Sequence, residues 1–290
     1  MKRRDYSGQA DLAAMQDLTH RVWCPSRRFH VGDIAWGRYS VPGAEADFRT
    51  ALWEIRGQVV AWGWVEMPAY LEVLVDPQHG EVLPELIEWF ESQADGSELA
   101  CMVMEDDAPV IAGLERSGYV ANGEGPFFTR HIHDLVDLPL AVLPTGFSIH
   151  SVESGEAERR AAVHRAGWSD FGSRLSTDSY ARLMATPPYR PETDLVVAAP
   201  DGTWVASALG WYDDVNRVGL VEPVSCAVAY RGRGLARAVN VALLKSFKDL
   251  GARSAVVLPR GDDAYPAPGR LYRRIGFVPG SRTLLFNKTR

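Results

Sequence analysis

The chain has 290 residues, which suits two domains of about 145 each better than one ordinary core. Its 46% hydrophobic and 23% charged residues exclude extensive disorder, and a net charge of -6 argues against non-specific nucleic-acid binding, which needs a basic face. Cys24, Cys101 and Cys226 are far apart with no C-x-x-C pair, so neither a disulfide framework nor a zinc site is suggested. After basic Met1-Lys2-Arg3-Arg4, the polar stretch from Asp5 to Asp17 lacks the apolar core of a signal peptide, and no run approaches a membrane span. A cytoplasmic, unanchored protein is expected.

In chain order, Asp11 to His20 has helical spacing at Leu12, Ala13, Met15 and Leu18, whereas the aromatic, turn-rich stretch from Pro25 to Gly43 reads as irregular. Ala51 to Ile55 and Val59 to Val65, joined by Arg56-Gly57-Gln58, read as a hairpin, and Tyr70 to Val75 as a further strand. Leu83, Leu86, Ile87 and Phe90 mark a helix face, Leu99 to Met104 a strand, and Ile111 to Ser117 a short helix closing at Gly118-Tyr119. His131-x-His133 places two imidazoles on one strand face, but two ligands without a third make a poor metal site, and they read as surface or packing residues.

The later half repeats this order. Asp194 to Ala199 and Trp204 to Trp211 form a hairpin, Gly219 to Tyr230 the next strand, and Leu235 to Leu250 a helix stopped by Gly251. Ala255 to Leu258 is a strand and Leu271 to Ile275 a short helix closing at Gly276-Phe277. Two landmarks recur: Ala61-Trp62-Gly63-Trp64 against Ala208-Leu209-Gly210-Trp211, and the Gly118-Tyr119-Val120 ending against Gly276-Phe277-Val278. The join falls between Asp137 and Gly146, where prolines interrupt the pattern, giving domains 1–140 and 141–290 linked by a packed connector.

Between the strand ending at Tyr230 and the helix ending at Leu250 lies Arg231-Gly232-Arg233-Gly234-Leu235-Ala236. A chain passing from strand to helix presents unpaired N–H groups backed by the positive end of the helix dipole, which makes an anion site. Two glycines allow a sharp turn and close approach, and the arginines add charge that can reach phosphate oxygens. A dinucleotide-binding reading fails because Arg237 stands at the third glycine position, and a P-loop reading fails for want of Gly-Lys-Ser or Gly-Lys-Thr.

With Leu271-Tyr272-Arg273-Arg274-Ile275-Gly276-Phe277 following at the expected interval, the second half resembles the GNAT superfamily of acyl-CoA-dependent N-acyltransferases. The whole chain resembles a tandem GNAT protein, the layout of mycothiol synthase and related actinobacterial proteins. The resemblance implies an α/β (α+β) fold: two tandem GNAT-like acyltransferase domains, each a mixed central sheet flanked by helices. Val228 and Tyr265 stand where the family often has Pro and Asn, and the latter puts a pantetheine contact in doubt. In the first half the matching place reads Gln78-His79-Gly80-Glu81-Val82-Leu83. Glu81 there would repel a pyrophosphate by about 1 kcal/mol, so the first domain is expected to bind acyl-CoA poorly or not at all.

The resemblance further implies that the amides of residues 232–237, through Arg237, hold the pyrophosphate of acetyl-CoA, the co-substrate. Val224 and Cys226, with Ser225 between them, match the strand whose N–H groups face the acyl carbonyl and pantetheine, where such donors stabilise an oxyanion. Tyr272 matches the general acid that protonates the departing thiolate. A lysine-like amine is neutral only about once in 2,500 at pH 7, a deficit of about 4.6 kcal/mol, so a base is needed. Glu222 is the leading candidate, with Asp213 and Asp214 as alternatives. A covalent role for Cys226 is disfavoured, since a cysteine midway along an apolar strand is usually a small core residue. Trp168, Phe171, Tyr180 and Tyr189 could form an acceptor rim or pack in the core. The expected activity is transfer of an acetyl group to a primary amine of a small molecule in a ternary complex, without metal, nucleic acid or membrane, by a monomer or homodimer. The competing reading is a non-catalytic acyl-CoA sensor or scaffold.

Overall fold

The structure, a computed structural model, describes residues 1–123 and 125–290. The first half runs β1 (Lys2–Asp5), α1 (Gln9–Val22), α2 (Val31–Tyr39), β2 (Phe48–Ile55), β3 (Gln58–Glu66), β4 (Tyr70–Val75), α3 (Leu83–Gln93), β5 (Glu98–Met104), α4 (Ala108–Arg116), β6 (Val120–Asn122) and β7 (Thr129–His133). The second runs β8 (Ser148–Ser151), α5 (Ala157–Gly167), α6 (Thr177–Met184), β9 (Asp194–Ala198), β10 (Trp204–Asp213), β11 (Val218–Cys226), α7 (Leu235–Asp249), β12 (Ser254–Val257), α8 (Ala267–Ile275) and β13 (Val278–Thr289). The two series have the same order, as the sequence repeat implies. Among the described residues, no helix is long and apolar enough to cross a membrane.

All strands join one sheet in the order β1-β2-β3-β4-β5-β13-β7-β12-β11-β10-β9-β8, with β6 beside β13. Pairing is antiparallel except at β4 with β5 and β11 with β12. The middle of this order departs from the covalent division. β13, from the end of the chain, pairs with β5 from Thr283–Met104 to Thr289–Glu98, whereas β7, from the first half, pairs with β12 from Ala255–His133 to Val257–His131. Each half gives its last strand to the other. We retain a division near residue 140 as a proposal for the covalent repeat, but the hydrogen-bonded sheet does not follow it. The connector is only partly packed: Leu138 and Leu143 lie against the second core, while Leu140 is 81% exposed.

Helices cover both faces of the sheet. α3 and α4 pack on one face of the first half and α1 on the other; α7 lies on one face of the second half, and α5 and α6 on the other. The recurrent glycines in Trp62-Gly63-Trp64 and Leu209-Gly210-Trp211 have a common cause. A Cβ on Gly63 would lie 2.7 Å from the Trp89 ring of α3, and one on Gly210 would lie 2.4 Å from the Phe247 ring of α7. Each glycine lets an aromatic side chain of the covering helix rest on the strand backbone. The short helices also end alike: Tyr119 N–H donates to the Leu114 carbonyl at 3.0 Å, and Phe277 N–H to that of Tyr272 at 3.1 Å.

The stretch expected to be irregular contains α2. His30 and Asp33 cap it reciprocally: the His30 ring accepts from Gly32 N–H at 3.1 Å, and the Asp33 carboxylate accepts from His30 N–H at 2.6 Å. α2 belongs to both cores, placing Ile34 among the side chains under α1 and Ala35 among those around Trp211. A Cβ on Gly32 would meet Trp211 at 2.1 Å, so α2 lies directly on that indole.

Candidate active site

β11 and β12 pair only from Val218–Ser254 to Leu220–Val256. Beyond that, β11 bulges, placing Glu222 and Pro223 opposite Leu209 alone, and β11 continues without β12. A cleft opens between the two strands. Ala227 N–H donates to the Val205 carbonyl at 2.8 Å, which fixes the alternation: Ser225 faces β10, and the amides of Val224 and Cys226 point into the cleft. On the same side the Trp168 indole donates to the Val224 carbonyl at 3.0 Å.

At the end of the cleft the chain turns into α7. Gly232 and Gly234 have φ of 78° and 81°, in the left-handed region, and nothing lies within 4 Å of either Cβ position. Glycine is therefore required by backbone conformation, and the space beside it is open. The first helical bond is from Ala238 N–H to the Gly234 carbonyl, leaving the amides of 232–237 without a backbone partner among the described residues. Six such donors lie at the positive end of the α7 dipole, beside the exposed turn of residues 231–234. The matching turn of the first half lacks this geometry, since the Asp76 carboxylate caps Gln78 N–H at 2.9 Å and Glu81 pairs with His79 at 3.2 Å.

Where β11 bulges, Glu222 meets a residue of the other half. The Trp211 indole under α2 donates to the Glu222 carbonyl at 2.8 Å, and Asp33, on the first turn of α2, lines the same cavity as the Glu222 carboxyl and lies within its electrostatic reach. Burial pushes Glu222 up to about 8, and the neighbouring Asp33 charge adds to the shift. Burial also raises Asp33. Two neighbouring carboxyls partly withdrawn from water each disfavour the other's ionised form. Arg130, 2% exposed, lies within electrostatic reach of both; it donates to the Arg27 and Arg28 carbonyls at 2.7 and 2.6 Å, and its Nε has no partner. Tyr272 is 5% exposed and rests edge-on against Phe277 at 5.5 Å. Burial raises its phenol well above the usual range, and the Glu222 charge raises it further, so the sequence-expected acid and base sense each other across the cleft.

Residues 160–277 match the family model described as the acetyltransferase (GNAT) family. This half of the chain belongs to the GNAT acetyltransferases. The fold of the whole chain agrees. A GCN5-related N-acetyltransferase from Sphaerobacter thermophilus superposes with a TM-score of 0.62 at 21% identity, covering 99% of this chain and 95% of that one. A tandem GNAT protein from the clavulanic acid biosynthesis pathway gives 0.66 at 15% identity, covering 99% and 98%. A GNAT-family acetyltransferase from Colwellia psychrerythraea gives 0.65 at 14%, covering 99% of each chain. No curated protein matches the chain in sequence. The chain thus carries a GNAT acetyltransferase domain within residues 160–277, and its large mixed sheet flanked by helices has the tandem fold.

Within this GNAT site several residues lie other than the sequence suggests. The Ser225 amide is used by β10, and its hydroxyl bonds Ser207 at 2.6 Å and the Val163 carbonyl at 3.3 Å, so neither group faces the cleft. The Arg231 guanidinium is occupied by Asp170 at 2.6 Å and the Gly167 carbonyl at 2.9 Å; it braces the cradle against α5 rather than reaching for phosphate. Arg233 covers the Tyr230 ring at 5.0 Å, and Arg237 bonds the Leu140 carbonyl at 3.2 Å, both at the exposed mouth. Leu235 and Ala236 open α7.

Asp213 does not serve as a base. It is fully buried, and although burial opposes ionisation, the adjacent His20 imidazole and hydrogen bonds from Asn216 hold it down to about 2. Its 3.0 Å pair with His20 of α1 ties the halves together, while Asp214 is exposed beside Arg190. Tyr180 and Tyr189 are core residues that donate to Asp194 at 2.5 and 3.1 Å, with buried Arg160 on the other carboxylate oxygen at 2.7 Å. Trp168 and Phe171 do stand beside the cleft, and Phe171 meets Tyr265 edge-on at 5.1 Å. Burial pushes the Cys226 thiol up, which disfavours a nucleophilic thiolate. His131 and His133 are both buried packing residues of β7. The sequence reading missed Asp33, although the His30–Asp33 spacing is a capping signal.

Proposed function

We propose that this GNAT enzyme moves an acetyl group from acetyl-CoA directly to a primary amine of a small molecule bound beside it. The observation that carries this reading is the Glu222 carboxyl, lining a cavity beside Asp33 and within electrostatic reach of Tyr272. The six amides of 232–237 hold the pyrophosphate, and the Val224 and Cys226 amides engage the pantetheine arm and the acyl oxygen. The Glu222 carboxylate removes a proton from the acceptor ammonium, and the neutral amine attacks the thioester carbonyl. A C–N bond forms, the C–S bond breaks, and the thiolate takes the Tyr272 proton. The second nitrogen proton returns to Tyr272, and Glu222 releases its proton to solvent. The first half supplies Asp33 but binds no acyl-CoA. The free thiols Cys24, Cys101 and Cys226 fit a cytoplasmic protein, acting as a monomer or a homodimer.

The whole chain should release free CoA from acetyl-CoA only when an acceptor amine is present. Binding of acetyl-CoA without release across a broad amine panel would favour the sensor instead. The pH profile tests the base. A group at about 8 is about one-tenth ionised at pH 7, so activity rises as Glu222 loses its proton. Asp33→Asn removes the neighbouring negative charge and should move this rising limb to lower pH. An unmoved limb would exclude Glu222 as the titrating base.

A further inference from the structure

The cavity facing Glu222 is closed on its far side by the first half. Its wall includes Arg28, Asp33, Trp36, Trp64 and Glu66. Four carboxyls, those of Asp33, Glu66, Glu72 and Glu222, share this region with two guanidiniums, those of Arg28 and Arg130. The arginines are spoken for. Arg28 grips Glu72 with both terminal nitrogens, one of them at 2.8 Å, and Arg130 faces the Asp33–Glu222 pair. Glu66 remains. Half-buried at the end of β3, it makes no hydrogen bond or ion pair among the described residues. Burial, and then the Glu72 charge, push it up to about 7. The Arg28 charge, gripped by Glu72, offsets only part of this, and a ligand cation beside the half-buried carboxylate relieves it further. The half-buried indole of Trp36 in the same wall offers a face that attracts cations, whereas the buried Trp64 ring already carries Arg38 at 5.3 Å.

We propose that the acceptor carries two cationic groups: the reacting ammonium at the neighbouring Asp33 and Glu222 carboxyls, and a second ammonium at Glu66 beside the Trp36 indole. This rests on the acetyltransferase reading above and narrows it to diamines and other small dicationic amines. On transfer, one nitrogen gives one proton to Glu222 and a second to Tyr272 and becomes the amide, while the other stays protonated and charged throughout. An acceptor with a carboxylate in place of the second ammonium would meet Glu66 as a like charge and be rejected. The second site comes entirely from the first half, which gives that half a role in specificity although it has no cofactor cradle.

The test uses the full chain with saturating acetyl-CoA and three acceptors of matched length: 1,4-diaminobutane, 1-aminobutane and 4-aminobutanoate. The expected kcat/KM for the diamine is at least about 100-fold above that for the monoamine, the difference lying mainly in KM, with the amino acid lowest. In Glu66→Gln the diamine-to-monoamine ratio should fall at least about tenfold, and Glu66→Asp should restore part of it. Because the ratio is taken on one protein sample, loss of folded enzyme cancels. Monoamine turnover equal to that of the diamine, or a ratio unchanged in Glu66→Gln, overturns the dicationic acceptor and leaves the acetyltransferase reading intact. Absence of CoA release with every amine tested overturns that reading as well.

Discussion

Replacing Tyr272 with phenylalanine is expected to lower kcat about 100-fold to 10,000-fold, the usual worth of a positioned general acid, with little change in acetyl-CoA affinity or melting temperature. The substitution is clean because of the local structure. The ring packs edge-on against Phe277, which phenylalanine preserves, and the hydroxyl has no protein hydrogen-bond partner among the described residues. Burial and the Glu222 charge keep the phenol protonated through the working pH range, the form that can donate to a departing thiolate. Steady-state kinetics with an identified acceptor, together with calorimetric binding of acetyl-CoA, separate the chemical from the binding effect. Turnover unchanged in Tyr272→Phe would remove the residue from the mechanism.

Replacing Gly234 with valine should abolish acetyl-CoA binding at accessible concentrations, an effect of at least about 100-fold, equivalent to roughly 2.7 kcal/mol. The argument is one of backbone conformation. At φ of 81° a β-branched residue is strained by about 1–3 kcal/mol, and relaxation of this exposed turn would rotate its amides out of alignment. No neighbour crowds the position, so the fold itself should survive. Calorimetry should give one acetyl-CoA per wild-type chain and none for the variant. Two per chain would show that the first half binds as well, despite the Asp76 cap and Glu81 in its matching turn. The intact protein is required, because residues 1–140 alone lack the strand that pairs with β5.

The features visible in the sequence were those with local causes. Alternation at β2 and β3, the apolar stripe of α3, and the glycine pair before α7 each act within a few residues, and all lie where their patterns place them. The candidate site was half legible for the same reason: Glu222, Val224, Cys226 and Tyr272 sit on elements with a recognisable order. α2 was not legible because Gly32 and Gly37 interrupt its apolar stripe. Those glycines answer to tryptophans elsewhere, Trp211 against Gly32 and Trp64 against Gly37 at 3.1 Å. Asp33 meets Glu222 only through that packing. Tyr180 and Tyr189 read equally well as a rim or as core, and the buried Arg160–Asp194 pair that decides between them has no local signature. The pairing of β13 with β5 is likewise a contact between distant segments, each of which looks like an ordinary terminal strand.

That exchange also bears on how such a chain can change over generations. A duplicated domain that has lost its own cofactor turn would ordinarily be free to shrink or disappear. Here its β7 is the neighbour of the β12 strand that flanks the cleft, and its own β5 is covered by the last residues of the chain. Deleting either copy would strip the survivor of a strand and expose a raw sheet edge. The two copies are therefore bound to be inherited together, and on the proposed reading the half without a glycine cradle is free to specialise in what lies across the cavity from Glu222.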